Sequence, residues 1–365
     1  MPVYRLTASS MISSFRVSGK RHLLLTGGRG TGKTTLLRAL VPLLCPGAQE
    51  ITTAAYPADR VEIRESVGGK IAVIGRFDPA LPPGENRMRP VADGFLLLGV
   101  PALHRMAAGE SEWAVLDELG YLENSCPEFR QAVEALLDAK RVLAVVRTQD
   151  TPFLNALCAR QDAFVVDLAA PAPDLGCVVM ASGLGQRFGS NKLLADFGGQ
   201  PLIQRALTLA GSGLFAADLT VTRHADVQTL CQTQQRPVLL HSEPHRSDTV
   251  RLGLSALLQQ CPQLQACLFL PGDQPLFSAE SLSSLLLLAD PHAIWRTSGS
   301  RSVGSPVLFG RDYFDELLHL TKGGGSEVLQ RHPDAVQLLP CPDCELRDAD
   351  TPAALAELEK SLNHF

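Results

Sequence analysis

The sequence predicts two α/β domains in tandem, each an open, parallel sheet with helices on both faces. Three observations predict it. The length, 365 residues, exceeds what one hydrophobic core ordinarily serves. Short leucine-rich or β-branched runs alternate with segments of helical period on both sides of the middle of the chain, the pattern of a parallel sheet. Between the two series, AAPAPDLG at residues 169–176 carries prolines and a glycine that suit neither helix nor strand ladder. The linker is therefore set at residues 169–176, with one domain over residues 1–168 and the other over residues 177–365.

In the first series LLLTG precedes KTTLLRALVPLL, WAVLDEL precedes CPEFRQAVEALLDAK, VLAVVRT precedes PFLNALCAR, and AFVVDL closes it. The second runs CVVMAS, a helix over 201–211, DLTVTR, a further helix, PVLLH, TVRLGLSALLQQC, CLFLPG and AESLSSLLLLA. The halves share no sequence period, so two different domains are joined, with no repeat.

Apolar residues make up 45% of the chain and charged ones 19%, with a formal net charge of -5. No bulk positive charge is present for a nucleic-acid partner, and no apolar run reaches membrane-spanning length. The first 22 residues lack the apolar core of a secretory leader, so a cytoplasmic protein is expected. Nine cysteines, an odd number, read as reduced thiols; Cys341 and Cys344 form a lone CPDC without a second ligand pair for zinc.

Two glycine-rich loops carry the chemistry. In LLLTGGRGTGKTTLL, residues Gly27, Gly32, Lys33 and Thr34 fit G-x-x-x-x-G-K-[ST] between a strand and a helix. Backbone N–H groups of such a loop cradle phosphates, Lys33 reaches the β and γ oxygens, and the Thr34 hydroxyl joins the Mg²⁺ shell; Gly30 and Thr35 belong to the same loop. Downstream, AVLDELG offers Asp117 for the metal and Glu118 to polarise water, unless the pair only solvates a strand end. With LDELGYLENSCPEFRQAVEALL and RVLAVVRTQDTPFLNAL, the loop resembles the small nucleoside-triphosphatase family of the THEP type over residues 20–168. Leu122-Glu123 stands where that family has Met-Glu, and residues 51–76 match it poorly. Nothing in this domain names an acceptor for a phosphoryl group, so hydrolysis of a nucleoside triphosphate is expected, with the choice of ATP or GTP left open and a small-molecule kinase as the alternative.

The second loop, ASGLGQRFGSNK, fits neither that spacing nor the dinucleotide fingerprint. Gly183 and Gly185 allow the chain to wrap a nucleotide, and Arg187 and Lys192 offer charge to phosphate oxygens and a leaving pyrophosphate; the bland reading is a solvated surface loop. In CLFLPGDQP a strand ends on Asp273, where α/β sheets bind ligands and a carboxylate suits Mg²⁺.

Together MASGLGQRFGSNKLLADFGGQPLIQ, HSEPHRSDTVRLGL, LPGDQPLF, GSPVLFG and LRDADTPAAL resemble the molybdenum cofactor nucleotidyltransferases, in particular the cytidylyltransferase branch, over residues 176–360. That implies a Rossmann-like sheet of the nucleotide-diphospho-sugar transferase type and transfer of CMP from CTP to a molybdopterin-type cofactor. It further implies Lys192 and Arg187 on the triphosphate, Asp273 and Asp350 on Mg²⁺, and Ser247 with Arg251 lining the nucleotide or acceptor pocket. Base choice would lie at Ala181-Ser182-Gly183, where Ser182 matches neither the cytidylyl nor the guanylyl branch, so GTP stays an alternative. Ser305 departs from the family's acceptor segment.

A molybdenum hydroxylase is the recipient that the resemblance implies, and a non-catalytic, NTP-driven cofactor carrier is the rival from another class. Three features stay open. Asp348 and Asp350 match the family's paired acids, yet Asp350 or Thr351 before Pro352 also suits a helix N-cap. KGGG at residues 322–325 suits a flexible turn or a phosphate lid. In HSEPH, Pro244 breaks the spacing that a His241, Glu243 and His245 metal trio would need.

Overall fold

The chain folds because its leucine-rich runs become strands buried on both faces. The computed structural model describes residues 6–83, 87–171, 174–183, 188, 189, 191–300 and 303–362. It divides into two units, Ser18–Pro171 in one and Met1–Val17 with Ala172–Phe365 in the other.

The first unit holds β1 (His22–Thr26), β2 (Gln49–Tyr56), β3 (Arg60–Glu65), β4 (Ile71–Phe77), β5 (Met88–Pro90), β6 (Trp113–Leu119), β7 (Arg141–Val146) and β8 (Ala163–Asp167). They form one sheet in the order β5-β4-β3-β2-β6-β7-β1-β8. Leu24 pairs in parallel with Ala144 of β7 and Val165 of β8, so β1 lies inside the sheet and Leu23, Leu24 and Leu25 are at most 1% exposed. Phe95, Phe129, Val133 and Leu136 pack over one face. Parallel pairing extends only to β2; the steps β2-β3, β3-β4 and β4-β5 are antiparallel. The sheet is therefore mixed, against the expectation of a parallel one, because residues 57–59 make a turn too short for a crossover, with Ala58 at φ 55°.

The second unit holds β9 (Leu175–Ala181), β10 (Ala217–Thr222), β11 (Val238–Leu240), β12 (Ala266–Pro271), β13 (Ile294–Ser298), β14 (Val303–Gly310) and β15 (Val336–Pro340), in the order β11-β10-β9-β12-β14-β13-β15. Parallel β10 and β12 flank β9, so the strand order reverses between β9 and β12. That switch point is where open α/β sheets leave a crevice at their carboxyl ends. β14 runs antiparallel to both its neighbours, which makes this sheet mixed as well. The helix Arg246–Gln260 lies close on β9 because Gly253 has no side chain: a Cβ there would come within 2.7 Å of Val178. Its N-terminus faces the crevice through His245 and Arg246.

Two boundaries differ from the sequence reading. That reading sets the linker over residues 169–176, yet Leu175 and Gly176 already pair in β9. Residues 1–17, assigned to the first domain, go with the second unit. The helix Ala8–Val17 buries Met11 and Phe15 completely, and its Ser14 hydroxyl donates to the Ser284 carbonyl at 2.8 Å on the helix Ala279–Leu287. No described helix is long and apolar enough to cross a membrane.

Candidate functional site

In the first unit the glycine loop turns on backbone conformations closed to most side chains: Gly27, Gly30 and Gly32 have φ of 131°, 80° and 90°. The helix Lys33–Leu44 starts directly after it. Lys33 Nζ donates to the Gly27 and Gly28 carbonyls, 2.8 Å each, which holds the ammonium over its own loop. A cavity of about 690 Å³ opens there, and Gly27, Gly30, Gly32 and Thr35 line it along with Lys33, Thr34 and Glu118.

Asp117 and Glu118 end β6, two strands from β1 with β7 between them. Thr34 Oγ1 donates to Asp117 Oδ1 at 3.4 Å, and Arg38 reaches its other oxygen at 3.3 Å. Burial raises the Asp117 carboxyl above its ordinary range while Arg38 pulls it back. A hydroxyl and a carboxylate brought together from 83 residues apart are the hard oxygen donors that Mg²⁺ takes beside a P-loop. Glu118 Oε1 accepts from Arg147 Nε at 2.9 Å.

Arg147, Thr148 and Gln149 also line the cavity, and the sequence reading missed all three. Their signal was position: they follow a buried parallel strand that lies between the loop strand and the acidic strand. Glu123, 3% exposed, accepts from the Gly120 N–H at 2.8 Å, and burial pushes its carboxyl up to about 7.

In the second unit Lys192 carries the centre. Its Nζ donates to Asp273 Oδ2 at 2.6 Å and to Asp350 Oδ1 at 2.9 Å, with the lysine 7% exposed. Burial works against its charge, but the two carboxylates outweigh it and hold the pKa above the ordinary lysine value. Asp348 stands beside them, its carboxyl raised by burial and then by Asp273, and accepts from Gln274 Nε2 at 2.9 Å. The helix that follows is capped by Thr351, whose Oγ1 accepts from Ala354 N at 3.1 Å, which leaves Asp350 to Lys192.

A cleft of about 910 Å³ opens at this point, lined by Ser182, Gly183, Lys192, Asp273, Ser305 and Asp350 among others. Asp273 and Asp350 converge on one ammonium, so they offer one point two oxygen donors, the chemistry a divalent cation requires. Arg223, Arg246 and Arg296 line the same cleft; sequence reasoning missed them, because Arg223 and Arg296 carry no local motif and Arg246 stands next to the Ser247 that the motif picks out. None of the three has a carboxylate in ion-pair reach among the described residues.

Some expected residues lie elsewhere. Ala181 is fully buried, with its carbonyl taken by Thr222 Oγ1 at 2.9 Å, since the strand's alternation turns it into the sheet. Ser247 is 0% exposed, and Arg251 donates to Asp248 at 2.9 Å. Asp248 in turn caps the helix through the His245 N–H. Neither Ser247 nor Arg251 is on the cleft wall; Arg246 and Thr249, three residues apart and so on one face of the helix, take that place. Ser182 bonds His241 Nε2 at 2.9 Å, and burial lowers the pKa of that histidine. Gly185 and Arg187 lie outside the described residues. Cys341 and Cys344 are free thiols.

Residues 177–336 match the family model of the MobA-like NTP transferase domain, and residues 83–172 match that of the NTPase family. Nucleoside-triphosphatase THEP1 of Thermotoga maritima is 27% identical over 154 residues, 40% of this chain and 85% of that protein. The 3-deoxy-manno-octulosonate cytidylyltransferase of Neisseria meningitidis is 25% identical over 158 residues, 43% of this chain. The chain spans only 58% of the length of that relative. Among solved structures, a nucleotidyl transferase from Methanothermobacter superposes with a TM-score of 0.46 at 20% identity, over 52% of this chain and 98% of that one.

Proposed function

We propose that this chain, a THEP1-like NTPase domain joined to a MobA-like NTP transferase domain, transfers CMP from CTP to a molybdopterin-type cofactor, releases pyrophosphate, and hydrolyses a nucleoside triphosphate at its other site. The observation that carries the transfer is Lys192 held between Asp273 and Asp350 on a cleft at the sheet's switch point.

Chemically, an oxygen of the acceptor's phosphate forms the new bond to the α-phosphorus as the bond to the β-phosphate oxygen breaks, and the electron pair leaves on pyrophosphate. A phosphate monoester is already anionic near neutral pH, so the reaction needs no general base, only position and charge neutralisation. Lys192 supplies a buried positive charge for the triphosphate, and the arginines that line the same cleft supply more. Asp273 and Asp350 would hold Mg²⁺, which supplies Lewis-acid neutralisation of phosphate charge. Cytidylyl transfer is also the activity in the name of the meningococcal relative, which supports CTP over GTP.

At the other site, Lys33 would follow the γ-phosphate and Glu118 would orient water, with Thr34 and Asp117 on a second Mg²⁺. The product's recipient would be a molybdenum hydroxylase, with the chain acting in the cytoplasm.

Pyrophosphate release across the four NTPs, with molybdopterin cofactor or a 3-deoxy sugar acid as acceptor, tests the reading. Release with CTP and the cofactor is expected. Release only with GTP moves the base assignment, release only with the sugar acid replaces the acceptor, and cofactor binding without release makes the chain a carrier.

A further inference from the structure

The three residues that leave β7 are bonded on one side to the glycine loop and on the other to the end of β6 and the turn after it. Thr148 Oγ1 accepts from the Gly27 N–H at 3.2 Å. The Arg147 N–H donates to the Leu119 carbonyl at 2.9 Å, and Gln149 Oε1 accepts from the Tyr121 N–H at 3.0 Å. The backbone of this short segment is therefore fixed on the wall of the phosphate cavity, which all three residues line.

From that backbone the Arg147 side chain reaches Glu118, with Nε 2.9 Å from Oε1. Its stem lies against Gly120, where a Cβ would come within 3.1 Å of Arg147 Cδ, so the glycine admits the arginine. Only one nitrogen is spent. The two Nη groups have no partner among the described residues, and together they form a fork that matches phosphate oxygens. The side chains of the pair are 40% and 25% exposed, and an ion pair so open to water contributes little to folding. Stability does not account for its place. Arg29, the other guanidinium on the cavity, is exposed on the loop and has no anchor among the described residues, so it lacks the preorganisation that Arg147 has.

We propose that Arg147 is the catalytic arginine of this site, supplied from within the chain: held by Nε on Glu118, it sets its two Nη groups on the γ-phosphoryl group during hydrolysis. The assignment rests on the hydrolysis reading of the first unit and adds the cation that meets the charge gathering at the reacting phosphorus. As the water oxygen bonds to the γ-phosphorus, the bond to the β–γ bridging oxygen breaks, its electron pair leaves on the nucleoside diphosphate, and the water proton passes to Glu118. Negative charge spreads over the γ-oxygens and the bridging oxygen, and a guanidinium already in place stabilises it without reorganising. Glu118 then has two duties, Oε1 for the arginine and Oε2 for the water.

The test is phosphate release from ATP and GTP by the full chain, beside titration with mant-ADP and mant-GDP in Mg²⁺ with and without aluminium fluoride, a mimic of the γ-phosphoryl group in transfer. Arg147→Ala should lower kcat by about a hundredfold or more with KM within a few-fold. It should bind the diphosphate within about twofold of the wild type, yet aluminium fluoride should no longer tighten that binding. Arg147→Lys should restore neither property, since an ammonium has no fork to divide between Glu118 and phosphate. Glu118→Gln keeps an oxygen for Nε, so it should lose turnover and retain the tightening.

Turnover in Arg147→Ala within a few-fold of the wild type, with only the melting temperature lowered, would make the pair structural and overturn the assignment. So would tightening that Arg29→Ala loses and Arg147→Ala keeps. The two levels separate cleanly. A wild type that releases no phosphate, yet shows tightening that depends on Arg147, defeats the hydrolysis reading alone; phosphate release indifferent to Arg147 defeats this assignment alone.

Discussion

The lysines of the two candidate sites differ in what holds them. Lys33 is bonded to two neutral carbonyls of its own loop, five and six residues away. Lys192 is bonded to two carboxylates, 81 and 158 residues away. A lysine on neutral acceptors gives up little when an anion arrives. A lysine that neutralises two acids leaves them bare if it moves, so a cation must take its place as it turns to phosphate. The first site can be read as a loop, the second only as an assembled cluster.

The largest effect expected from this contrast is at Lys192. Lys192→Ala should lower nucleotidyl transfer by about a hundredfold or more, the order seen when a buried charge on a reacting group is lost, and Mg²⁺ should raise the melting temperature of that variant more than that of the wild type, because the ion replaces the ammonium between Asp273 and Asp350. Lys33→Ala leaves only carbonyls behind, so Mg²⁺ should give it no extra stabilisation. Thermal melts with and without Mg²⁺ check both.

The acids differ in the same sense. Those of the second site are paired with Lys192, whereas Glu123 in the first unit is buried on a backbone N–H, with its carboxyl at about 7 against an ordinary 4.5. A raised folded pKa means that the stabilisation is full below the unfolded pKa and is lost as pH rises through the folded one. Relative to Glu123→Gln, which stays neutral, the wild type should therefore lose about 3 kcal/mol between pH 4.5 and 7. Denaturant unfolding of the two across that window reads the difference; parallel curves would mean that Glu123 stays ionised. Smallest is the cap: Thr351→Ala should cost about 1 kcal/mol, read in the same way, with Lys33-dependent hydrolysis unchanged.

The same contrast explains what was legible in the sequence. The P-loop was, because its glycines, lysine and threonine are contiguous and their geometry is local. Asp273 was, because it follows a run of six buried residues. The partnership of Lys192 with Asp350 was not, since it depends on how two distant loops meet at the switch point. Asp350 itself stood between a metal and a capping reading until Thr351 took the cap. The motif puts Ser247 and Arg251 on the cleft, but helical phase gives that wall to Arg246 and Thr249. The antiparallel run β2 to β5 escaped because its strands carry charged residues such as Arg60, Glu62 and Arg64, and the first helix because its apolar side chains are few and its partner Ser284 lies 270 residues on from Ser14.

The central claim is that one loop serves hydrolysis and the other serves transfer. The most direct measurement is phosphate release and pyrophosphate release on the same full-length Lys33→Ala and Asp273→Asn proteins. Lys33→Ala should abolish phosphate release and leave pyrophosphate release within a few-fold; Asp273→Asn should do the opposite, losing about a hundredfold or more in transfer with its melting temperature kept. If either substitution removes both activities, or Asp273→Asn turns over at the wild-type rate with Mg²⁺ present, the account is contradicted.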